Sequence, residues 1–209
     1  GIYIESDAGT EIFVDGGSVD VSEVGKYRIR PFLKSHGVRE VDYWFVSHCD
    51  ADHCNGLMEL LETDYPIKHL VFSKYVLKDE AQEELAALAK QKGCQVLYME
   101  EGECFRDTSI RIQAIYPSEK SVEGERNADS LVLLLEHEAF RGLLTGDIGQ
   151  EQEKNFIEGY GNMKIDWYKA AHHGSKTSNS KEFLEVLQPK LATISCGRNN
   201  SYGHPGKEA

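Results

Sequence analysis

The run Ser47-His48-Cys49-Asp50-Ala51-Asp52-His53 constrains this chain more than any other stretch. Two imidazoles and two carboxylates fall within six positions. An apolar, β-rich segment (Val41, Tyr43, Trp44, Phe45, Val46) leads in, and a helix-like segment (Leu57, Met58, Leu60, Leu61) leads out after Cys54-Asn55-Gly56. In a loop between strand and helix, His48 and Asp50 can face one way while Asp52 and His53 face another. Such a loop can hold two cations close together, and paired cations activate water for hydrolysis. A solvated polar loop has no need of this set.

Ligand-type side chains recur where later apolar strands stop. Leu143-Leu144-Thr145-Gly146-Asp147 puts a carboxylate beside a glycine at a strand end. Tyr168-Lys169-Ala170-Ala171-His172-His173-Gly174-Ser175 does the same with two imidazoles, and Tyr202-Gly203-His204-Pro205 places a third in a Gly/Pro loop. Asp147 alone could cap the helix that follows, but Thr145-Gly146 before it favours a ligand. Strand ends converge on one edge of a sheet, so these groups can meet His48, Asp50, Asp52 and His53.

The periodicity predicts strands at 12–14, 41–46, 70–72, near 95–98, and at 109–116, 130–137, 140–145, 165–171 and 191–195. It predicts helices over 79–92, opened by Asp79 with Gln82 and closed by Gly93, over about 150–157, and over about 179–187 with Ser178 as cap. Strands with interspersed helices make an α/β or α+β layered domain. The 209 residues, 40% hydrophobic and 28% charged, can bury one large core or two small ones. No apolar run approaches the ~20 residues that span a bilayer. The formal charge of −12 argues against a general polyanion-binding surface, though not against a phosphate substrate, because metal ions supply local positive charge. Five cysteines without a C-x-x-C pair predict reduced thiols, with Cys49 and Cys54 as small core residues. The chain opens at Gly1-Ile2-Tyr3-Ile4 and reads as one domain, 1–209, excised from or trimmed at both ends of a longer protein. Its oligomeric state and location are not encoded; a bacterial cytoplasmic protein and a domain attached to a membrane protein both fit.

These pieces resemble the metallo-β-lactamase superfamily of binuclear metal hydrolases, and within it the soluble hydrolase domain of ComEC-type competence (DNA-uptake) proteins. The H-x-D-x-D-H motif is His48 to His53, T-G-D is Thr145-Gly146-Asp147, H-H-G-S is His172 to Ser175, and N-x-x-G-H-P is Asn200 to Pro205. An early D-G-G turn is Asp15-Gly16-Gly17. Two departures stand out. Asp50 occupies a position where the superfamily commonly has histidine, and Asn127-Ala128-Asp129-Ser130 stands roughly where its third-motif histidine belongs.

The resemblance implies a four-layer αββα sandwich with the metals at one edge. It implies that His48 and Asp50 hold one divalent cation and that Asp52 and His53 hold the other. Asp147 bridges the two and His172 completes the second site. Asp52 orients a metal-bridging hydroxide and takes its proton, and His173 assists the leaving oxygen. His204 and Ser175 are open between metal, substrate and loop roles, and Asp15 is open between orienting a ligand histidine and simple turn duty. The oxygen-rich set moves the metal toward Mn²⁺ or Mg²⁺, with Zn²⁺ still compatible. The implied activity is a phosphodiesterase, nuclease-like, on a phosphoester such as DNA. Hydrolysis of a small ester (phosphorylcholine ester, lactone or thioester) and a non-catalytic binding module are the alternatives.

Overall fold

The computed structural model describes residues 1–75 and 79–207. The chain condenses into two compact units, 1–99 and 100–209.

The first unit is built on a five-stranded sheet in the order β1-β2-β3-β4-β5: Ile2–Glu5, Glu11–Val14, Val41–Phe45, Ile67–Ser73 and Gln95–Met99. β1 runs antiparallel to β2, and the other neighbours are parallel. Three helical segments carry the crossovers. The first spans Gly25–Ile29 in π-helical turns and continues as α1, Arg30–Ser35; α2 is Ala51–Glu62 and α3 is Glu80–Gln91. Their apolar stripes (Leu33; Leu57, Leu60, Leu61; Leu85, Ala86, Ala89) form one core with Phe13, Trp44, Leu70 and Phe72 of the strands. Strand residues of opposite parity, Ile12, Val14, Phe45 and Val71, are buried too. Both faces of this sheet are therefore covered, which is why its strands read as near-continuous apolar runs.

The second unit holds a six-stranded sheet in the order β11-β10-β9-β8-β7-β6. β6 (Cys104–Arg106), β7 (Ile110–Tyr116), β8 (Val132–His137) and β9 (Phe140–Leu144) form an antiparallel meander. β10 (Trp167–Lys169) and β11 (Leu191–Thr193) extend it in parallel. The helices α4 (Gln150–Tyr160) and α5 (Lys181–Leu187) close a core of Leu143, Ile148, Phe156, Tyr168, Phe183 and Leu187. No helix among the described residues is long and apolar enough to cross a membrane.

Several boundaries differ from the sequence expectation. α2 begins at Ala51, so Asp52 and His53 lie in its first turn rather than in a loop. α4 runs on to Tyr160. The strand expected at 165–171 is only Trp167–Lys169, because the chain turns left-handed at His172. α5 begins at Lys181, and its cap is Ser180, whose hydroxyl accepts from the Phe183 N–H. Ser178 does not cap; its hydroxyl donates to the Ile148 carbonyl at 2.7 Å, and Asn179, at φ 63°, cannot continue a helix. The segment 25–35 was not foreseen. The buried residues Val24 and Ile29 are five apart, the spacing of a π-turn, and the four-residue step from Ile29 to Leu33 is too short a run, with Pro31 inside it, to read as a helical period.

Leu60 is fully buried in the first core. Leu60→Ala is expected to cost about 3 kcal/mol in urea unfolding with an unchanged slope, whereas Val19→Ala at an exposed position should change stability by less than about 0.5 kcal/mol.

Candidate metal centre

In the first unit, the candidate ligands hang from the loop after β3 and the first turn of α2. Their arrangement depends on Asp15, which ends β2 with φ 54° and is pinned there by its N–H donating to the Phe45 carbonyl at 2.9 Å. One Asp15 oxygen accepts from the Ser47 N–H at 2.8 Å. The other accepts from the Ser47 hydroxyl at 2.9 Å and lies 2.9 Å from His53 Nδ1. A carboxylate only accepts, so His53 carries its proton on Nδ1. The single Ser47 hydroxyl proton goes to Asp15, so the 3.0 Å contact between Ser47 Oγ and His48 Nδ1 has His48 as donor. In the neutral form both buried imidazoles therefore carry the lone pair on Nε2. This donor set fits a divalent cation, which requires a neutral ring with its free nitrogen oriented by a hydrogen bond on the other.

The two rings lie 4.0 Å apart between centroids. Asp50, at the N-cap of α2, makes no side-chain cap bond; its carboxylate lies 3.7 Å from His48 Nε2 and is partly exposed. Asp52 lies one residue into the helix. The turn Asp15-Gly16-Gly17 sits flush on this helix. A Cβ at Gly17 would come within 2.3 Å of the Ala51 carbonyl oxygen, and one at Gly56 within 2.4 Å of the Gly16 carbonyl oxygen. Asn55 stitches the same contact, donating to the Ser18 carbonyl at 2.7 Å and accepting from its N–H at 3.0 Å. Asp15 thus orients a candidate ligand; its turn is a consequence of that task.

In the second unit, Asp147 follows Gly146 (φ 53°) just beyond β9 and is buried. Its N–H donates to the Ser130 hydroxyl at 3.1 Å. Asp129 folds the preceding loop by accepting from the Glu123 and Gly124 N–H groups at 2.8 and 2.7 Å. The segment 127–130 therefore supports Asp147 rather than supplying a histidine. His172 and His173 are consecutive left-handed residues, at φ 50° and 54°, a conformation that costs roughly 1–2 kcal/mol each for a side-chain-bearing residue. Their Nε2 atoms lie 3.8 and 3.5 Å from Asp147 Oδ2. His173 Nδ1 donates to the Ser195 carbonyl at 2.8 Å. With the ring neutral, its Nε2 lone pair then faces a carboxylate, two acceptors that only a proton or a cation can reconcile.

A buried clamp sustains the left-handed pair. The Asn179 carboxamide accepts from the Ala171 N–H at 2.9 Å and donates to the Ala171 carbonyl at 3.1 Å, and the Tyr168 hydroxyl donates to it at 2.8 Å. Glu153, fully buried, accepts from the N–H groups of Asn179 and Ser180. Sequence reasoning gave no role to Ser47, Ser130, Glu153 or Asn179; the last three work through backbone groups, which leave no spacing pattern.

His204 stacks near this pair, with ring centroids 5.9 Å from His172 and 6.4 Å from His173. Burial, then charge at His172 and His173, holds it below the ordinary histidine value. Its loop is tied by Asn200, which accepts from the His204 N–H at 2.9 Å and donates to its carbonyl at 2.7 Å. Ser175 is buried and engaged with Thr177 Oγ1 at 2.8 Å, closing a local turn. All five cysteines are free thiols, with Cys49 and Cys54 in the first core as expected.

The model of the metallo-beta-lactamase superfamily matches residues 3–198. The chain belongs to that superfamily. It is similar to ComE operon protein 3 of Bacillus subtilis (strain 168), at 33% identity over 182 residues covering 87% of this chain and 23% of the relative. Competence protein ComA of Neisseria gonorrhoeae matches at 28% identity, covering 95% of this chain and 26% of the relative. The chain thus spans about a quarter of the length of the curated relatives it matches. Among solved structures, a CmlA beta-hydroxylase mutant aligns with a TM-score of 0.59 at 14% identity, covering 91% of this chain and 42% of that one, a likeness of fold alone. The expected metallo-β-lactamase fold is borne out, and both units carry candidate metal-binding His/Asp groups of this superfamily member.

Burial alone would raise the Asp15 carboxyl; the charge and hydrogen bond of His53, then the Ser47 N–H, bring it below its ordinary value. The charged form is thus favoured by folding. Its contribution is complete above about pH 4 and is lost as the pH falls below that toward the lowered folded value. Unfolding of the metal-free protein followed from about pH 6 downward should show stability dropping below about pH 4. Asp15→Asn should start lower and fall less over the same range; parallel curves would contradict this assignment.

Proposed function

We propose that this chain is a metal-dependent hydrolase of phosphodiesters, nuclease-like, whose chemistry is carried by its His/Asp groups. The observation that carries the reading is the Asp15–Ser47 relay, which protonates Nδ1 of both His48 and His53 and leaves two Nε2 donors side by side. The residues that would hold divalent cations are His48, Asp50, Asp52 and His53 of the first unit, and Asp147 and His172 of the second. Two such cations supply Lewis acidity toward a phosphoryl oxygen and an acidified water. The oxygen-rich donor set suits Mn²⁺ at least as well as Zn²⁺.

The remaining chemistry belongs to the chain's own side chains. Asp52 orients the attacking water and takes its proton. His173, its ring fixed by the hydrogen bond to the Ser195 carbonyl, acts as an imidazolium: it takes a proton from solvent on Nε2 and passes it to the leaving oxygen. A relative named for competence supports a DNA substrate, and the burial of His48 and His53 supports exclusion of bulk water around them.

The test is hydrolysis of a chromogenic phosphodiester and of labelled DNA by Mn²⁺- or Zn²⁺-loaded protein. Asp52→Asn should lower kcat by about a hundredfold or more with KM little changed, and His173→Gln should lower it most for poor leaving groups. Cleavage of small diesters without any cleavage of DNA would move the substrate to a small ester. Full metal loading with no hydrolysis of any ester would overturn the reading.

A further inference from the structure

The overall charge of −12 conceals a local reversal. Between Val24 and Arg39 there are five cationic residues (Lys26, Arg28, Arg30, Lys34, Arg39) and no acidic one. This stretch is the π-helical segment, α1 and the turn after it. Its apolar residues Val24, Ile29, Leu33 and Val38 are buried, so the side left to solvent is basic. Arg28, Lys34 and Arg39 are exposed and make no ion pair among the described residues, and Arg30 Nε is buried without a hydrogen bond. Lys26 is paired with Glu23 at 2.7 Å. Neighbouring carboxylates are engaged elsewhere: Glu59 accepts from the Gly25 and Lys26 N–H groups, Glu11 from the Tyr3 hydroxyl, and Glu40 is paired with Lys68 at 3.0 Å.

Aromatic rings interleave with these cations. Tyr27 is 53% and Phe32 38% exposed, unusual for large rings on a helix whose core side is already filled. Phe32 lies 5.4 Å from the Tyr3 ring, edge-on, and 4.2 Å from the His36 ring. Beside this cluster runs a groove of about 350 Å³ lined by Tyr3, Phe13, Arg28, Phe32 and the Gly16-Gly17 turn. That turn is the one seated on the first turn of α2, where Asp52 and His53 stand.

We infer that the basic, aromatic face of residues 25–39, with the groove at Arg28 and Phe32, binds a single-stranded polynucleotide. The inference rests on the phosphodiesterase reading for its purpose, but its chemistry is independent of the metal centre. Cations without partners neutralise backbone phosphates, and exposed rings beside a groove stack unpaired bases whatever their sequence. A duplex hides the base faces from such rings. A membrane surface suits the face poorly, because the apolar side of the helix is already in the core and no apolar stripe remains to enter lipid.

The test is fluorescence anisotropy of the full chain with a labelled oligothymidylate of about twelve nucleotides, in chelator, so that the outcome does not depend on metal or turnover. Binding is expected to weaken with salt, with a slope of about 2 in log–log form for three phosphate contacts, and to exceed binding of a duplex of the same length. Arg28→Glu with Lys34→Glu, both exposed, should weaken binding more than tenfold at low salt and reduce the slope by more than about 1. Phe32→Ala should weaken it about tenfold, and Tyr27→Ala reports the same role should Phe32→Ala fail to fold. Phe140→Ala, an equally exposed ring of the second unit, should leave it unchanged. No binding at low salt, binding indifferent to the charge reversals, or capture of phosphatidylglycerol vesicles or poly-glutamate in preference to the oligonucleotide would overturn the inference. Loss of binding in the reversal variant, with small-diester hydrolysis intact, would separate this face from the metal centre. Binding without hydrolysis in any variant would instead sink the phosphodiesterase reading alone.

Discussion

The Asp15 carboxylate is the interaction on which the candidate centre of the first unit depends. Three donors converge on it: the Ser47 N–H, the Ser47 hydroxyl and His53 Nδ1. A largely buried carboxylate is tolerable only when its lone pairs are filled, and here each filling has a consequence. The Ser47 bonds fix the exit of β3, and the His53 bond fixes the start of α2. The hydroxyl, its proton used, can only accept from His48. One carboxylate thereby sets two backbone elements and two histidine tautomers.

The second unit reaches a similar end by a different device. Here the backbone is held left-handed at His172 and His173. Strain of this kind persists only where the surroundings over-determine it. Here the surroundings are Asn179, gripping the Ala171 peptide on both sides, and Glu153, gripping the turn behind Asn179. Ser130 does the corresponding task for Asp147. The ligand types are in the motifs, while the groups that aim them are scattered from 130 to 180.

That division explains what was legible in the sequence. The core strands and α3 could be read because burial on both faces imposes unbroken apolar runs, and because Asp79 caps with a recognisable spacing. The H-x-D-x-D-H run and the strand-end motifs could be read because ligand chemistry demands particular residue types. The segment 25–35 could not, since its π-turn shifts the buried positions to a five-residue spacing. The start of α5 was misplaced because a serine at 178 and a serine at 180 look alike as caps; only the left-handed Asn179 between them decides. A total of −12 is a sum over the chain, and it hides sixteen residues without an acid.

The central claim is that the Asp15–Ser47 relay holds His48 and His53 as Nδ1-protonated rings with Nε2 available to a metal. Imidazole ¹⁵N NMR reads it directly, on metal-free protein and during Zn²⁺ addition. The account predicts that both rings are Nδ1–H tautomers before metal, that both Nε2 signals shift on saturation with two ions per chain, and that Asp15→Asn loses the tautomer preference at His53. Nε2-protonated rings in the metal-free protein, or Nε2 signals indifferent to zinc, would contradict it.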